Sequence, residues 1–390
     1  MSIESRLDSW KKIAVYLQRD ERTVQRWHTN SGLPVHHVPG SKHGSVFAYR
    51  AEIDTWLNAG LGADVSSLSK PVVHSSVSEA MELWECRSER NLLPIIEFSQ
   101  KAILENPRDA EAYGLLASAY IWAAYIDLVP ASYAFVRAER GVRKALRSNP
   151  RQIYAQCAEA WLMMCSNPNR KLAEEHFREC IAASSSLSFA LIGLATICVM
   201  KREFDEAKNL TARAWDAEPL STSVSYAVIR LHYCMGEFNR VISEAQRAIS
   251  IGENSSGLRG IVGLAYAALG QEAEALKELQ EATNTYPANL FVKGALGYAY
   301  AVSGHPVEAK AILAQLVAEQ PLMRASSTYA TALVCAGLND SEQALHWLEK
   351  SEEDFSIWSL TLELDEAFAF LKHNDRFLAI ADQLHVPRCQ

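Results

Sequence analysis

Four side chains within five positions, Arg22, Thr23, Gln25 and Arg26, carry the hydrogen-bonding groups that read base edges in a nucleic-acid groove. Arginine pairs bidentately with guanine and glutamine with adenine, and each good pair discriminates by about 1–3 kcal/mol. Val24 and Trp27 interleave with them, so a short helix over 21–29 would turn the apolar pair inward and leave the polar four outside. A second polar group, Lys42 and His43, lies in the string 39–44, whose Pro39, Gly40 and Gly44 predict a hairpin tip. Two arginines on a helix are by themselves an ordinary solvated face. Only the elements that hold them give them a target.

Those elements are legible in residues 1–60. Trp10, Ile13, Ala14 and Leu17 recur at i, i+3, i+4 and i+7, one face of a helix, behind Ser9 as N-cap. Gln18-Arg19-Asp20 makes a tight turn into the second helix, which Asp20 caps. Val46, Phe47 and Tyr49 have strand character, and a third helix over 51–57 presents Ile53, Trp56 and Leu57 to the core. Two short helices joined by a tight turn are the arrangement that sets a helix in a major groove. The strings Trp10-Lys11-Lys12-Ile13-Ala14, Arg22-Thr23-Val24-Gln25-Arg26-Trp27, Gly32-Leu33-Pro34-Val35 and Val46-Phe47-Ala48-Tyr49 together resemble the excisionase/MerR-type winged helix–turn–helix, in the version that precedes repeat domains in some bacterial regulators. The resemblance covers nearly all of residues 7–58. It implies that Arg22, Thr23, Gln25 and Arg26 read the major groove, while Lys42 and His43 at the wing tip reach the backbone or minor groove. This wing carries one Lys and three His where relatives often bring more Arg and Lys, which implies weak or pH-sensitive binding.

Residues 61–76 are small, polar and unpatterned, a linker. Beyond them the chain repeats itself. Gly236, Gly270 and Gly304 are 34 residues apart each time, and Gly337 follows after 33. Pro219, Pro287 and Pro321 are separated by 68 and 34 residues, and Ala207, Ala275 and Ala309 share a column, as do Tyr266 and Tyr300, and Gly263 and Gly297. This period and these residue types resemble the tetratricopeptide repeat (TPR), a helix–turn–helix unit. Small residues at Gly263, Gly297, Ala275 and Ala309 let paired helices approach closely, Gly270 and Gly304 end the first helix, and the prolines stop the second. The unit ending at Pro150 carries about nine extra residues, expected between Ile126 and Ser132. The fold class is therefore mainly α: a small winged helix–turn–helix domain over 1–60, then an α-solenoid of about eight TPR-like hairpins over 77–356. Residues 357–390 form a helical cap; Leu364-Asp365-Glu366-Ala367-Phe368 and Asn374-Asp375-Arg376-Phe377 resemble the closing motif of such bacterial proteins, with Glu366 and Asp375 where proline is usual.

In this repeat type the first helix of each unit lines a concave groove. By register Ile121, Leu264, Phe291 and Tyr298 are its exposed members, an apolar set suited to an apolar peptide, a second copy of the chain, or self-packing. The head has a charge balance of +2 and the rest −10, within a net −8. That excludes a broadly basic nucleic-acid coat and fits a small binding module on a partner-facing body. The first residues lack the apolar core of a signal peptide, no apolar run reaches about 20 residues, and eight cysteines show no C-x-x-C spacing, so a cytoplasmic, non-membrane protein is expected. His36, His37 and His43 have no fourth ligand nearby and no cofactor motif or catalytic constellation occurs, so neither metal, cofactor nor enzymatic activity is expected. Two functions remain. One is a transcription regulator with the head on double-stranded DNA and the repeats binding a protein or peptide, or forming a homodimer that meets two half-sites. The other is a non-enzymatic adaptor in which the head docks protein.

Overall fold

The computed structural model describes residues 6–17, 24–25, 28–29, 33–37, 46–53, 75–126, 128–129, 131–166, 170–219, 221–250, 255–287, 289–319, 326–351 and 357–383. The chain divides into two compact units, 1–70 with 249–253, and 71–248 with 254–390.

In the head, strand β1 (Arg6–Asp8) leads into helix α1 (Trp10–Leu17), and β2 (His36–His37) and β3 (Val46–Tyr49) follow. The strands form one antiparallel sheet in the order β1-β3-β2, with Leu7 opposite Ala48 and His36 opposite Phe47. Ser9 adopts φ 136° between β1 and α1, and its hydroxyl accepts from the Lys12 amide at 3.3 Å, so it caps α1. Val24–Gln25, His28–Thr29 and residues 50–53 are helical. Leu7, Ile13, Ala14, Leu17, Val24, Leu33, Val35, Val46, Ala48 and Ile53 make the core, with Trp10 at its edge. Trp27, Trp56 and Leu57 lie outside the described residues.

Among the described residues the second unit holds eight helix pairs. They are α2 (Ser76–Glu85) with α3 (Leu92–Glu105), α4 (Ala110–Tyr125) with α5 (Ala131–Ser148), α6 (Ile153–Ser166) with α7 (Arg170–Ala183), and α8 (Ser188–Met200) with α9 (Phe204–Ala217). Then come α10 (Thr222–Cys234) with α11 (Phe238–Ser250), α12 (Ser256–Ala268) with α13 (Glu272–Thr285), α14 (Leu290–Val302) with α15 (Pro306–Glu319), and α16 (Ser326–Gly337) with α17 (Ser341–Lys350). Polar residues ahead of the first helices explain where these begin: Asp109, Ser221, Ser255 and Asn289 each accept a first-turn amide. In three pairs the turn takes a left-handed residue, and Gly236, Gly270 and Gly304 supply φ of 75°, 71° and 76°. In two pairs a residue with a side chain fills that slot, Arg202 at φ 61° and Asn339 at φ 56°.

Gly337 therefore does not belong to the turn column. It is the close-approach glycine of α16, where a Cβ would come within 2.9 Å of Ala301 and 3.0 Å of Tyr298. The surplus of the second pair is likewise not confined to its connection. Helix α4 has 16 residues and α5 has 18, against 13 and 14 in the α8–α9 pair.

After α17 come two 3-10 helices, Ile357–Leu364 with a non-helical Thr361, and Glu366–Leu371, then α18 (Asp375–Gln383). The acidic pair at 366 and 375 has its reason here. Asp365 accepts from the Ala367 amide and Asn374 from the Phe377 amide, so side-chain caps start both helices at the point where a proline would otherwise sit.

Candidate functional site

In the head, Gln25 is exposed while its neighbour Val24 is fully buried, so this turn presents Gln25 outward as its spacing requires. Arg22, Thr23, Arg26, Lys42 and His43 lie outside the described residues. The face of the sheet away from the core carries an aromatic and basic cluster that sequence reading missed. Arg6 lies 4.0 Å over the Phe47 ring, His36 stacks on Phe47 at 5.2 Å, and His36 pairs with Glu52 at 2.6 Å. Its signal was the period of two in Val46–Tyr49, which sends Phe47 and Tyr49 away from Val46 and Ala48.

In the solenoid, the residues expected to line an open groove are mostly covered. Ile121, Leu264 and Phe291 are 2%, 1% and 5% exposed, and Tyr298 is half-buried. The first helices show why. All of α8 but Met200 and all of α10 but Thr222 are buried, so these helices are enclosed on every side, whereas α9 and α13 bury a single stripe. The inner face is filled by side chains of the first helix pair and of the segment that follows α17. Of the three occupants open to this face, an apolar peptide, a second copy of the chain or self-packing, the burial of Ile121, Leu264 and Phe291 fits self-packing.

The N-terminal filling is Trp84 and the turn after α2. Trp84, Trp122, Trp161 and Phe189 form an interior aromatic cluster with centroids 5.4–6.3 Å apart. Arg87, fully buried, lies 4.4 Å over Trp84 and 4.7 Å over Trp122 and donates to Glu218 and to the Ser188 hydroxyl at 2.8 Å. Ser188 in turn donates to Glu218 at 2.6 Å, and the Arg87 carbonyl accepts from the Ser221 hydroxyl at 3.0 Å and the Ser223 amide at 3.3 Å. The first pair is thus fastened to the fourth and fifth. Burial pushes the Glu218 carboxyl above its ordinary range, with Arg87 and Ser188 pulling it back.

The C-terminal filling is the 3-10 segment. Trp358 stacks on Phe291 at 4.9 Å and 20° and on Tyr329 at 5.7 Å and 16°. Asp365, 2% exposed, accepts from Tyr329 and from Tyr233 at 3.1 Å; burial raises its carboxyl pKa, and these hydrogen bonds oppose the rise. Arg230, fully buried in α10, donates to Tyr125 at 3.0 Å and to Thr361 at 3.3 Å. Sequence reading passed over Arg87, Arg230 and Trp358, and named Asp365 only as part of the closing motif. A lone arginine inside the otherwise uncharged run Thr222–Cys234 was the available signal, since such a residue needs a built environment.

On the outer side, a cleft of about 510 Å³ is lined by Lys171, Glu174, Glu175, Arg178, Ile197, Met200 and Lys201. Three of its charged side chains are paired: Arg178 with Glu174 at 2.9 Å and Glu206 at 2.7 Å, and Lys201 with Glu174 at 3.3 Å and Glu203 at 2.8 Å. Cys198, Glu203 and Glu206 lie close enough to share an ion. The two carboxylates are engaged by cations instead, and burial pushes the Cys198 thiol up to about 12, so this is a closed charge network rather than a metal centre. Among the described residues no helix is long and apolar enough to cross a membrane.

No protein-family model matches the chain, and no curated protein matches it. Solved structures are similar in fold. One is the APC/C hetero-tetramer Cut9–Hcn1, 14% identical with a TM-score of 0.52, over 86% of this chain and 60% of that chain. This chain thus spans less than two thirds of the length of that neighbour. Yeast Tom70 matches at 13% identity and a TM-score of 0.43, over 96% of this chain and 77% of that one. YrrB, described as a TPR protein with an unusual peptide-binding site, matches at 20% identity and a TM-score of 0.34, over 53% of this chain and 96% of that one. The likeness concerns architecture: the body of this chain is a mainly α, TPR-type helical solenoid.

Proposed function

We propose that this chain is a non-enzymatic scaffold whose TPR-type solenoid engages a protein partner through its outer surface. The observation that carries the reading is the division of labour between the helices of each pair. Most first helices, α4, α8 and α10 above all, are buried along nearly their whole length, while the second keep an outward face, on which Leu104 in α3 and Val136 in α5 are 83% and 65% exposed. These two exposed side chains are where the proposed partner is taken to sit. The solenoid of the hetero-tetrameric Cut9–Hcn1 assembly has this fold, and a place in an assembly is the role carried over here. The test is reconstitution. A partner captured on the full chain is purified and titrated against the parent and against Leu104→Asp with Val136→Asp. The reading requires a defined complex that the double variant weakens at least about tenfold. A chain that stays monomeric and complexes with nothing purified refutes it.

A second reading concerns the head alone and belongs with the first: it binds double-stranded DNA. What favours it is the combination of the strand order β1-β3-β2, Gln25 outside beside a buried Val24, and the string Arg22-Thr23-Val24-Gln25-Arg26-Trp27. Duplex binding by the full chain should fall steeply with salt, and Arg26→Ala should reduce it. No shift of any duplex by the full chain at about 50 mM salt counts decisively against it.

A further inference from the structure

The two ends of the solenoid are held by arginines in contrasting circumstances. Arg87 has a carboxylate, Glu218. Arg230 is as deeply buried, yet its partners are neutral: the Tyr125 hydroxyl, the Thr361 hydroxyl and, at 3.8 Å, the Cys234 sulfur. Among the described residues its Nη2 has no hydrogen-bond partner, and no carboxylate pairs with the guanidinium. A buried guanidinium without an anion is costly, and the usual resolution is a counter-charge. The group facing it comes from a segment that is neither α-helical nor part of a pair. That segment is kinked at Thr361 (φ −125°, ψ 23°) and anchored by the Trp358 ring between Phe291 and Tyr329.

We propose that residues 357–365 occupy the inner face as an intramolecular pseudo-ligand, and that Arg230 receives a carboxylate from a partner peptide that takes their place. The segment supplies the template for that peptide. It carries an aromatic ring to stack between Phe291 and Tyr329, and an aspartate or glutamate three residues later, where Thr361 now offers only a hydroxyl. This rests on the reading of the solenoid as a protein-binding module and adds a second, inner surface that is closed until the segment leaves.

The test uses the full chain and a fluorescent synthetic peptide of residues 357–366 carrying Thr361→Asp. Trp358→Ala removes the anchoring stack and should bind the peptide at least about tenfold more tightly than the parent, with Arg230→Gln in that background removing the gain. Thr361→Asp in the chain itself supplies the missing anion in place. It should raise the melting temperature at pH 7 and leave peptide binding no stronger than in the parent. Equal peptide binding by parent and Trp358→Ala, or a lower melting temperature for Thr361→Asp, overturns the proposal. Should Trp358→Ala fail to fold, the Thr361→Asp melting temperature decides alone. A protein partner bound equally by parent and Trp358→Ala, with no peptide binding, overturns this inference and leaves the scaffold reading standing.

Discussion

Replacing Arg87 by methionine removes one half of a buried ion pair and keeps most of the side-chain volume. Glu218, 15% exposed, then keeps only Ser188 as a side-chain donor. Breaking a buried pair from one side costs about 3–5 kcal/mol, because the remaining charge stays desolvated. The two ring contacts of Arg87, at 4.4 and 4.7 Å, add about 0.5–2 kcal/mol each. Arg87→Met with Glu218→Gln leaves no buried charge, so most of the pair's share should return, with a coupling of about 2–3 kcal/mol. The pH dependence has a definite sign. Burial holds the Glu218 pKa above 4.5 in the folded chain, so its contribution to stability is fully present below 4.5 and lost as pH rises through the folded value. Loss of Arg87 raises that value further. The penalty of Arg87→Met is therefore largest near neutral pH and shrinks as pH falls toward 4.5. Urea denaturation followed by circular dichroism, compared through midpoints at unchanged m-value, reads all three quantities. A cost below about 1 kcal/mol, additive single changes, or a penalty independent of pH would refute the reasoning.

Arg202 holds a left-handed backbone in the slot that Gly236, Gly270 and Gly304 fill elsewhere, and it is exposed, so Arg202→Gly should stabilise by about 1 kcal/mol, seen as a higher urea midpoint. Gly294→Ala should destabilise by about 1–3 kcal/mol in the same assay, since its Cβ would meet the backbone of Ala330 at 2.7–2.8 Å. Asp365 separates charge from hydrogen bonding. Asp365→Leu, which orphans Tyr233, Tyr329 and the Ala367 amide, should cost about 2–4 kcal/mol, while Asp365→Asn stays within about 1 kcal/mol of the parent. Because the Asp365 pKa is raised above 3.8, the parent loses stability relative to Asp365→Asn as pH rises through the folded value, which thermal melts across pH 4 to 7 will show.

The repeat was legible because its cause is local. The later pairs share a cap, a close-approach residue and a left-handed turn at fixed spacing, and the turn glycines recur every 34 positions. The wrong reading of Gly337 shows the limit: glycine serves both a turn and a close contact, and only coordinates tell which. Strand β1 was missed because three residues with one apolar side chain, Leu7, carry no alternation. The inner face was misjudged for a different reason. Register says which way Ile121, Leu264 and Phe291 point, whereas their exposure depends on segments far along the chain. Arg87 meets Glu218 across 131 positions, and Arg230 meets Thr361 across the same span. No local pattern records such pairings.

The central claim, that the inner face is filled by the first helix pair and the segment after α17, is tested most directly by hydroxyl-radical footprinting of the intact protein. Side-chain oxidation should leave Trp122, Phe189, Phe291, Tyr329 and Trp358 at background while Tyr133 and Phe370, 44% and 43% exposed, react readily. Oxidation of Phe291, Trp122 and Trp358 at rates comparable to Tyr133 would mean an open groove, and would contradict the account.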